Sequence, residues 1–256
     1  DPDEATDHPE EMREEKYLVE INEQVAIPAL LLGERDRARG VMGDLQRRQV
    51  AASALTLVAN LDDNAQEEAD EEDGPLAAGE PGDDGKAAGE DEADLPDGTG
   101  MSVLCAGGRG ELDDAAAAML AQVLEVQGAT ATKAGFADME PANIRRLGLE
   151  TVDTVVVGFL NRDSVKHARF LVRRLKRAKA ALRVGIVFWS ETGNEDKEMA
   201  ARLAHDMNAD FVANGMVDAV VGALSNEPPV ALKLIAKRRM RRPRAAPRKT
   251  PAAAAS

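Results

Sequence analysis

MSVLCAGGRGELDDAAAAMLAQVLEVQGATATKA, residues 101–134, passes from an apolar run through a helix-period stretch into a second apolar run. The same alternation continues with apolar runs at 152–160, 182–189 and 209–214, each followed by a segment of helical spacing. Strands separated by a dozen or more residues of amphipathic helix cannot pair as hairpins, so they pair in parallel and the crossovers cover the sheet. The reading is an α/β domain over residues 101–225, with a five-stranded parallel sheet in the order 2-1-3-4-5.

The helix faces can be assigned from spacing. The first crossover sets Leu112, Ala116, Met119, Leu120, Val123 and Leu124 on one face, and Gly128 stops it. A short second helix starts at Pro141, with Ile144 and Leu147 on its apolar side. The third buries Val165, Ala168, Leu171, Val172 and Leu175, and carries Lys166, Arg169, Arg173 and Arg177 on its other side. The fourth offers Met199, Ala200, Leu203 and Met207; the fifth offers Met216, Val217, Val220, Val221 and Leu224.

Three segments flank this domain. Residues 1–61 read as a helical connector with apolar stripes at Tyr17, Leu18, Ile21, Val25, Ala29 and Leu32, then at Leu45, Ala51, Leu55, Val58 and Leu61. Pro28 is expected to kink or break the first stripe. Two such helices make no core of their own, so their faces need the sheet domain or another partner. Residues 62–100 read as a disordered acidic linker, because residues 62–98 hold sixteen Asp/Glu against one Lys. Residues 226–256 hold nine Lys/Arg against one Glu, including Lys237, Arg238, Arg239, Arg241 and Arg242, and read as a largely disordered basic tail. The net charge of −14 therefore averages over two opposed segments.

Composition narrows the class. One cysteine, Cys105, excludes an internal disulfide and suits a reducing compartment. The longest apolar run, 25–32, contains Pro28 and falls far short of the roughly 18 residues a membrane helix needs. The chain opens Asp1-Pro2-Asp3-Glu4 with no basic region, so no signal peptide is read, and a start without Met reads as a fragment of something longer.

In this architecture ligands bind beyond the carboxyl ends of the strands, where the strand order reverses. The loop after strand one is Gly107-Gly108-Arg109-Gly110, and the loop after strand three is Asn161-Arg162-Asp163-Ser164. With Trp189 at the end of strand four, these define a ligand crevice of Gly107, Gly108, Arg109, Asn161, Arg162 and Trp189. The glycines resemble a phosphate cradle, but the third glycine of a dinucleotide fingerprint is replaced by Asp113. Glu111, Asp113 and Asp114 already complement the helix dipole and would repel an anion. A tight strand-to-helix turn is the preferred reading of the glycines, a helix N-cap that of Asp163 or Ser164, and a core edge that of Trp189. Cys105 has no neighbouring base and reads as a small core hydrophobe; His8, His167 and His205 lack metal spacing. No catalytic, cofactor or metal site is expected.

The strand order is that of flavodoxin-like domains. Phosphorylation receivers resemble it but need acids at the ends of strands one and three, where this chain has Cys105-Ala106 and Phe159-Leu160. The cobalamin-binding scaffold resembles 101–225 in its helix lengths and Gly128 turn. It requires a cobalt-ligating His in an Asp-x-His-x-x-Gly motif, and the chain reads Gly108-Arg109-Gly110-Glu111-Leu112-Asp113 there.

A broader resemblance runs through Asp1-Pro2-Asp3-Glu4-Ala5-Thr6-Asp7, Glu15-Lys16-Tyr17-Leu18-Val19-Glu20 and Val25-Ala26-Ile27-Pro28-Ala29-Leu30. It resumes at Ser102-Val103-Leu104-Cys105-Ala106-Gly107-Gly108-Arg109-Gly110, Asp113-Asp114-Ala115-Ala116 and His167-Ala168-Arg169-Phe170-Leu171-Val172-Arg173-Arg174-Leu175. In that order these segments resemble the soluble C-terminal region of an autoinducer-2 exporter family permease of alphaproteobacterial type. The resemblance implies a membrane bundle upstream of Asp1 and a place on the cytoplasmic face of the bacterial inner membrane. It brings no ligand residues with it. The function expected is a non-catalytic accessory region, regulatory or assembly-related; the alternative is a small-molecule or nucleotide-binding domain using the crevice. Partners would be the upstream membrane bundle, a second copy in a homo-oligomer, and an anionic membrane surface met by Lys166, Arg169, Arg173, Lys237, Arg238, Arg239, Arg241 and Arg242. Nucleic acid is not expected, since the tail has no aromatic residue for stacking.

Overall fold

The computed structural model describes residues 17–72, 95–190 and 197–225. The basic tail and most of the acidic linker lie outside the described residues. Strands β1 (Ser102–Gly107), β2 (Thr130–Ala134), β3 (Thr154–Phe159), β4 (Arg183–Phe188) and β5 (Phe211–Ala213) form one parallel sheet in the order β2-β1-β3-β4-β5. Register aligns Val103 with Ala131 on one side and with Thr154 on the other. Alternate strand residues face two separate cores. Val103, Cys105, Val156 and Val187 pack with α3 (Glu111–Val126) and α6 (Met216–Leu224). Leu104, Ala106, Val155, Val157 and Ile186 pack with α4 (Val165–Ala178), and Met207 of α5 (Lys197–Met207) joins them.

The helical connector is not a separate body. A helical run from residue 17 makes a π turn over Asn22–Ala26 and continues as α1 (Ile27–Ala38), and α2 follows at Asp44–Glu72. Leu18, Ile27, Leu30, Leu31, Ala51 and Val58 belong to the same core as α3 and the sheet. Arg47 of α2 pairs with Glu111, and Gln122 donates to the Val58 carbonyl at 3.1 Å, so α2 runs alongside α3 in the same direction. This is why α3 is buried on both sides, from Leu112 to Leu124, rather than on one stripe.

Of the connector's expected stripes, Leu18, Ala51 and Val58 are buried as expected and several other members are corrected. Tyr17, Val25, Ala29 and Leu32 face outward, as do Leu45 and Leu55, while Val19, Ala26, Ile27, Leu30 and Leu31 face the core. At Val25, Ala29 and Leu32 the π turn accounts for the change, because its extra residue shifts the helix phase into α1. Ile27 N–H bonds to the Asn22 carbonyl across that turn, and Pro28 enters the first turn of α1 without breaking it.

The boundary expected at residue 61 falls inside α2, which reaches Glu72. Ala, Gln and Glu are strong helix formers, and no Gly or Pro interrupts the run before Gly74 and Pro75. Likewise, Leu95 packs on the core and Gly98 N–H bonds to the Gln127 carbonyl, so the end of the expected linker belongs to the folded body.

The second crossover also differs. Instead of a helix from Pro141 it holds three 3-10 turns, at Phe136–Met139, Ile144–Arg146 and Leu149–Thr151. Gly148, with φ 59°, breaks the run between the last two. In α5 and α6 the expected Met207, Met216, Val220 and Leu224 are buried, whereas Met199, Val217 and Val221 are exposed, and Ala201, Ala204, Ala219 and Ala223 complete the inner faces. Small alanines let these helices sit close to the sheet, and the Phe211 ring fills the space beside Gly222.

Candidate functional site

The crevice where the strand order reverses lies between the loops after β1 and β3. Gly107 and Gly108 leave β1 there because side chains would not fit. A Cβ on Gly107 would overlap Asp114, and one on Gly108 would overlap the Phe159 ring. Phe159 cannot yield easily, since it stacks on Phe188 at 5.6 Å and meets His167 edge-on at 6.0 Å. The glycines therefore admit the protein's own side chains into the turn.

Asp113 completes this closure. Its carboxylate accepts Arg109 N–H at 2.8 Å and Leu160 N–H at 2.9 Å. These are main-chain donors from the two loops that flank the crevice, and the chain supplies its own anion to them. Burial pushes the Asp113 carboxyl up to about 6, although both N–H bonds pull the other way. Asp114 beside it accepts Phe136 N–H at 2.7 Å and is pushed up to about 7 by burial and then by Asp113, Glu111 and Asp138. Cys105 is fully buried, and burial raises its thiol far above the usual range.

The rest of the crevice is covered from α1. Glu34 accepts from Asn161 Nδ2 at 3.3 Å and from the Arg37 guanidinium at 2.6 Å. Burial pulls the Glu34 carboxyl up, but Arg37, Asn161 and Arg109 together hold it below its ordinary value. Further back along the same helical run, Glu23 accepts Met216 N–H at the start of α6, at 3.0 Å. The connector thus lies across the carboxyl edge of the sheet, anchored by a carboxylate at each end.

Two hollows remain. One of about 170 Å³ is lined by Glu34, Arg37, Arg47, Arg109, Asp113 and Asn161. The other, about 450 Å³, is lined by Leu31, Glu34, Asn161, Arg162, Trp189 and Ser190. Of the expected crevice residues, Arg109 and Asn161 meet in the first hollow, and Asn161, Arg162 and Trp189 in the second. Arg109 is turned toward Ser164, donating to its Oγ at 3.3 Å. Trp189 is 1 % exposed with its indole over Gly158, and Nε1 has no hydrogen-bond partner among the described residues. Ser164 stands at the N-cap position of α4 without a side-chain cap bond, and the side-chain cap is made one turn earlier, where Asn161 Oδ1 accepts Asp163 N–H at 2.9 Å at the head of the 3-10 turn Arg162–Ser164. His167 donates Nε2–H to the Gly108 carbonyl at 3.1 Å, and burial lowers its pKa despite that bond.

Glu34, Arg37 and Arg47 went unseen in the sequence. The i,i+3 spacing of Glu34 and Arg37 was visible, but such pairs are common on exposed helices. Among the described residues no three potential metal ligands cluster, and no helix is long and apolar enough to cross a membrane. The fold is that of a flavodoxin-like α/β domain whose ligand edge is covered by its own chain. Neither a protein-family model nor a curated protein matches the sequence.

Proposed function

We propose that this chain is a non-catalytic accessory region, regulatory or assembly-related, of a multi-pass permease-like membrane protein at the cytoplasmic face of the inner membrane. The observation that supports this reading is the occupied carboxyl edge. Asp113 takes the main-chain donors beside the crevice, and Glu34 of α1 covers Asn161. A connector that both caps the sheet and continues toward upstream chain is suited to transmitting position rather than to admitting substrate. Its outward residues Val25, Ala29, Val41, Met42 and Leu57 line an apolar groove of about 640 Å³ between α1 and α2, which suits contact with a membrane bundle.

The test is the upstream coding sequence and the fractionation of its whole product. Several apolar helices upstream and recovery with the inner membrane are expected. An upstream frame without apolar helices, or a product wholly in the soluble fraction, overturns the reading.

The second reading, a small-molecule or nucleotide-binding domain, draws on the hollow at Trp189 with its unpartnered Nε1. Calorimetric titration with nucleotides, dinucleotides and cobalamins separates the two. The accessory reading expects no affinity tighter than millimolar; a micromolar signal abolished by Arg109→Ala favours the second.

A further inference from the structure

The face opposite α3 is strongly polarised. α4 buries Ala168, Leu171, Val172 and Leu175 and contains no acidic residue. Lys166, Arg173 and Arg177 point outward from it, with Arg169 and Arg174 half-buried beside them. The 3-10 turn Ile144–Arg146 packs next to α4 and adds exposed Arg145 and Arg146. Among the described residues none of Arg145, Arg146, Lys166, Arg173 and Arg177 pairs with a carboxylate. In a chain of net charge −14 this is a segregated cationic surface.

One apolar group stands in its middle. Phe170 is 46 % exposed, the only one of the five phenylalanines to be so, and the Arg174 guanidinium lies 3.9 Å from its ring centroid. The ring is held outward because Leu171 and Val172 take the core positions on either side of the helix's inner face. A phenylalanine with no polar atom, ringed by unpaired cations, suits the boundary between anionic headgroups and acyl chains.

We propose that α4 and the Ile144–Arg146 turn dock on anionic lipid headgroups, with Arg145, Arg146, Lys166, Arg173 and Arg177 on the phosphates and Phe170 inserted between them. This deepens the accessory-region reading and rests on it, since a region of a membrane protein is held beside a polyanionic surface. Lipid is favoured over nucleic acid by what the face lacks. It presents no Asn, Gln, Ser or Thr side chain to read base edges, and its one exposed phenylalanine ring is already stacked on one side by Arg174. The helix lies flat along the surface for 14 residues, so its cations meet a plane of phosphates together.

The experiment uses the whole chain with vesicles of phosphatidylglycerol and phosphatidylcholine, compared with phosphatidylcholine alone. Wild type should bind the anionic vesicles, more weakly as salt is added, and not the neutral ones. Replacing Arg145, Arg146, Lys166 and Arg173 together by Gln should weaken binding about a hundredfold, since each basic residue near the surface contributes roughly fivefold before screening. Phe170→Ser should weaken it about fivefold with an unchanged salt dependence. These positions are solvent-facing, and unchanged melting curves will show that the variants fold. The same substitutions are repeated with Lys237, Arg238, Arg239, Arg241 and Arg242 neutralised, where the loss should recur.

If the fourfold Gln variant binds like wild type and only the tail variant loses binding, this face is wrong while the membrane reading stands. Absence of binding by wild type also overturns the docking face, leaving the upstream sequence to decide the broader reading. A single-stranded oligonucleotide that displaces the chain from vesicles at lower concentration than phosphatidylglycerol competes overturns the choice of lipid.

Discussion

Asp113 Oδ1 accepts the main-chain N–H of Leu160 at 2.9 Å, joining the first turn of α3 to the residue just beyond β3. The two positions are far apart in the chain and adjacent only because β1 and β3 are neighbours in the sheet. Through this bond and its companion to Arg109, a helix-start carboxylate becomes the brace of the crevice. The same residue that looks in sequence like a dipole-complementing acid is in the fold a buried acceptor for two loops.

Asp113→Ala should lower stability by about 2–3 kcal/mol, because it leaves the buried Leu160 N–H and the half-buried Arg109 N–H without their acceptor. Chemical denaturation would measure this. A change within about 0.5 kcal/mol would mean the bonds do not brace the crevice.

Asp114 supplies a pH dependence of defined sign. Its folded pKa of about 7 lies above its ordinary 3.8, so the folded chain keeps a proton that the unfolded chain releases. Its contribution to stability is complete below about pH 4 and lost as pH rises through 7. Asp113, at about 6, acts in the same sense. His167, lowered mainly by burial, opposes them, its contribution being lost as pH falls below its ordinary 6.5. Asp114→Asn should therefore be more favourable at pH 8 than at pH 5, by about 1–2 kcal/mol after allowance for solvent screening. Equal effects at the two pH values would contradict the assignment.

Gly108→Ala and Gly110→Ala should part company. A Cβ at Gly108 meets the Phe159 ring, whereas one at Gly110 meets nothing within 4 Å. The first should cost roughly 1–3 kcal/mol and the second less than about 1 kcal/mol. If both are silent in thermal melts, the glycines are not there for packing, and a ligand role regains ground.

Ala51→Asp tests whether the connector and the sheet domain share one core. Ala51 of α2 is 3 % exposed in the core shared with α3, and a carboxylate there is taken out of water. The whole body should lose about 3 kcal/mol in a single cooperative transition. Two separate transitions, with the sheet domain unaffected, would show that the connector folds by itself.

Cys105 should resist thiol reagents in the native chain and react only on unfolding. It is fully buried and its thiol is held protonated by that burial. Rapid native labelling, at the rate of an exposed thiol, would show that β1 opens.

The sequence carried the sheet because parallel strands buried on both faces read as continuous apolar runs, and 182–189 could hardly be anything else. It carried α3 for the same reason in helical period, from Leu112 through Leu124. It misassigned Val25, Ala29 and Leu32 because one extra residue in the π turn at Asn22–Ala26 leaves no compositional mark yet shifts the helix phase into α1. It placed the linker boundary too early because Asp62 onward was read for its charge, although the same residues favour helix as far as Glu72.

Sequence alone therefore determined the strand order's class, the two-sided burial of the sheet and the turn after β1, since each follows from local period and residue size. Only the tertiary structure decided what covers the carboxyl edge. Glu23 reaching Met216 and Glu34 reaching Asn161 are contacts across more than a hundred residues. Such contacts arise from where the helix phase and the sheet edge happen to meet in space, and no spacing along the chain encodes them.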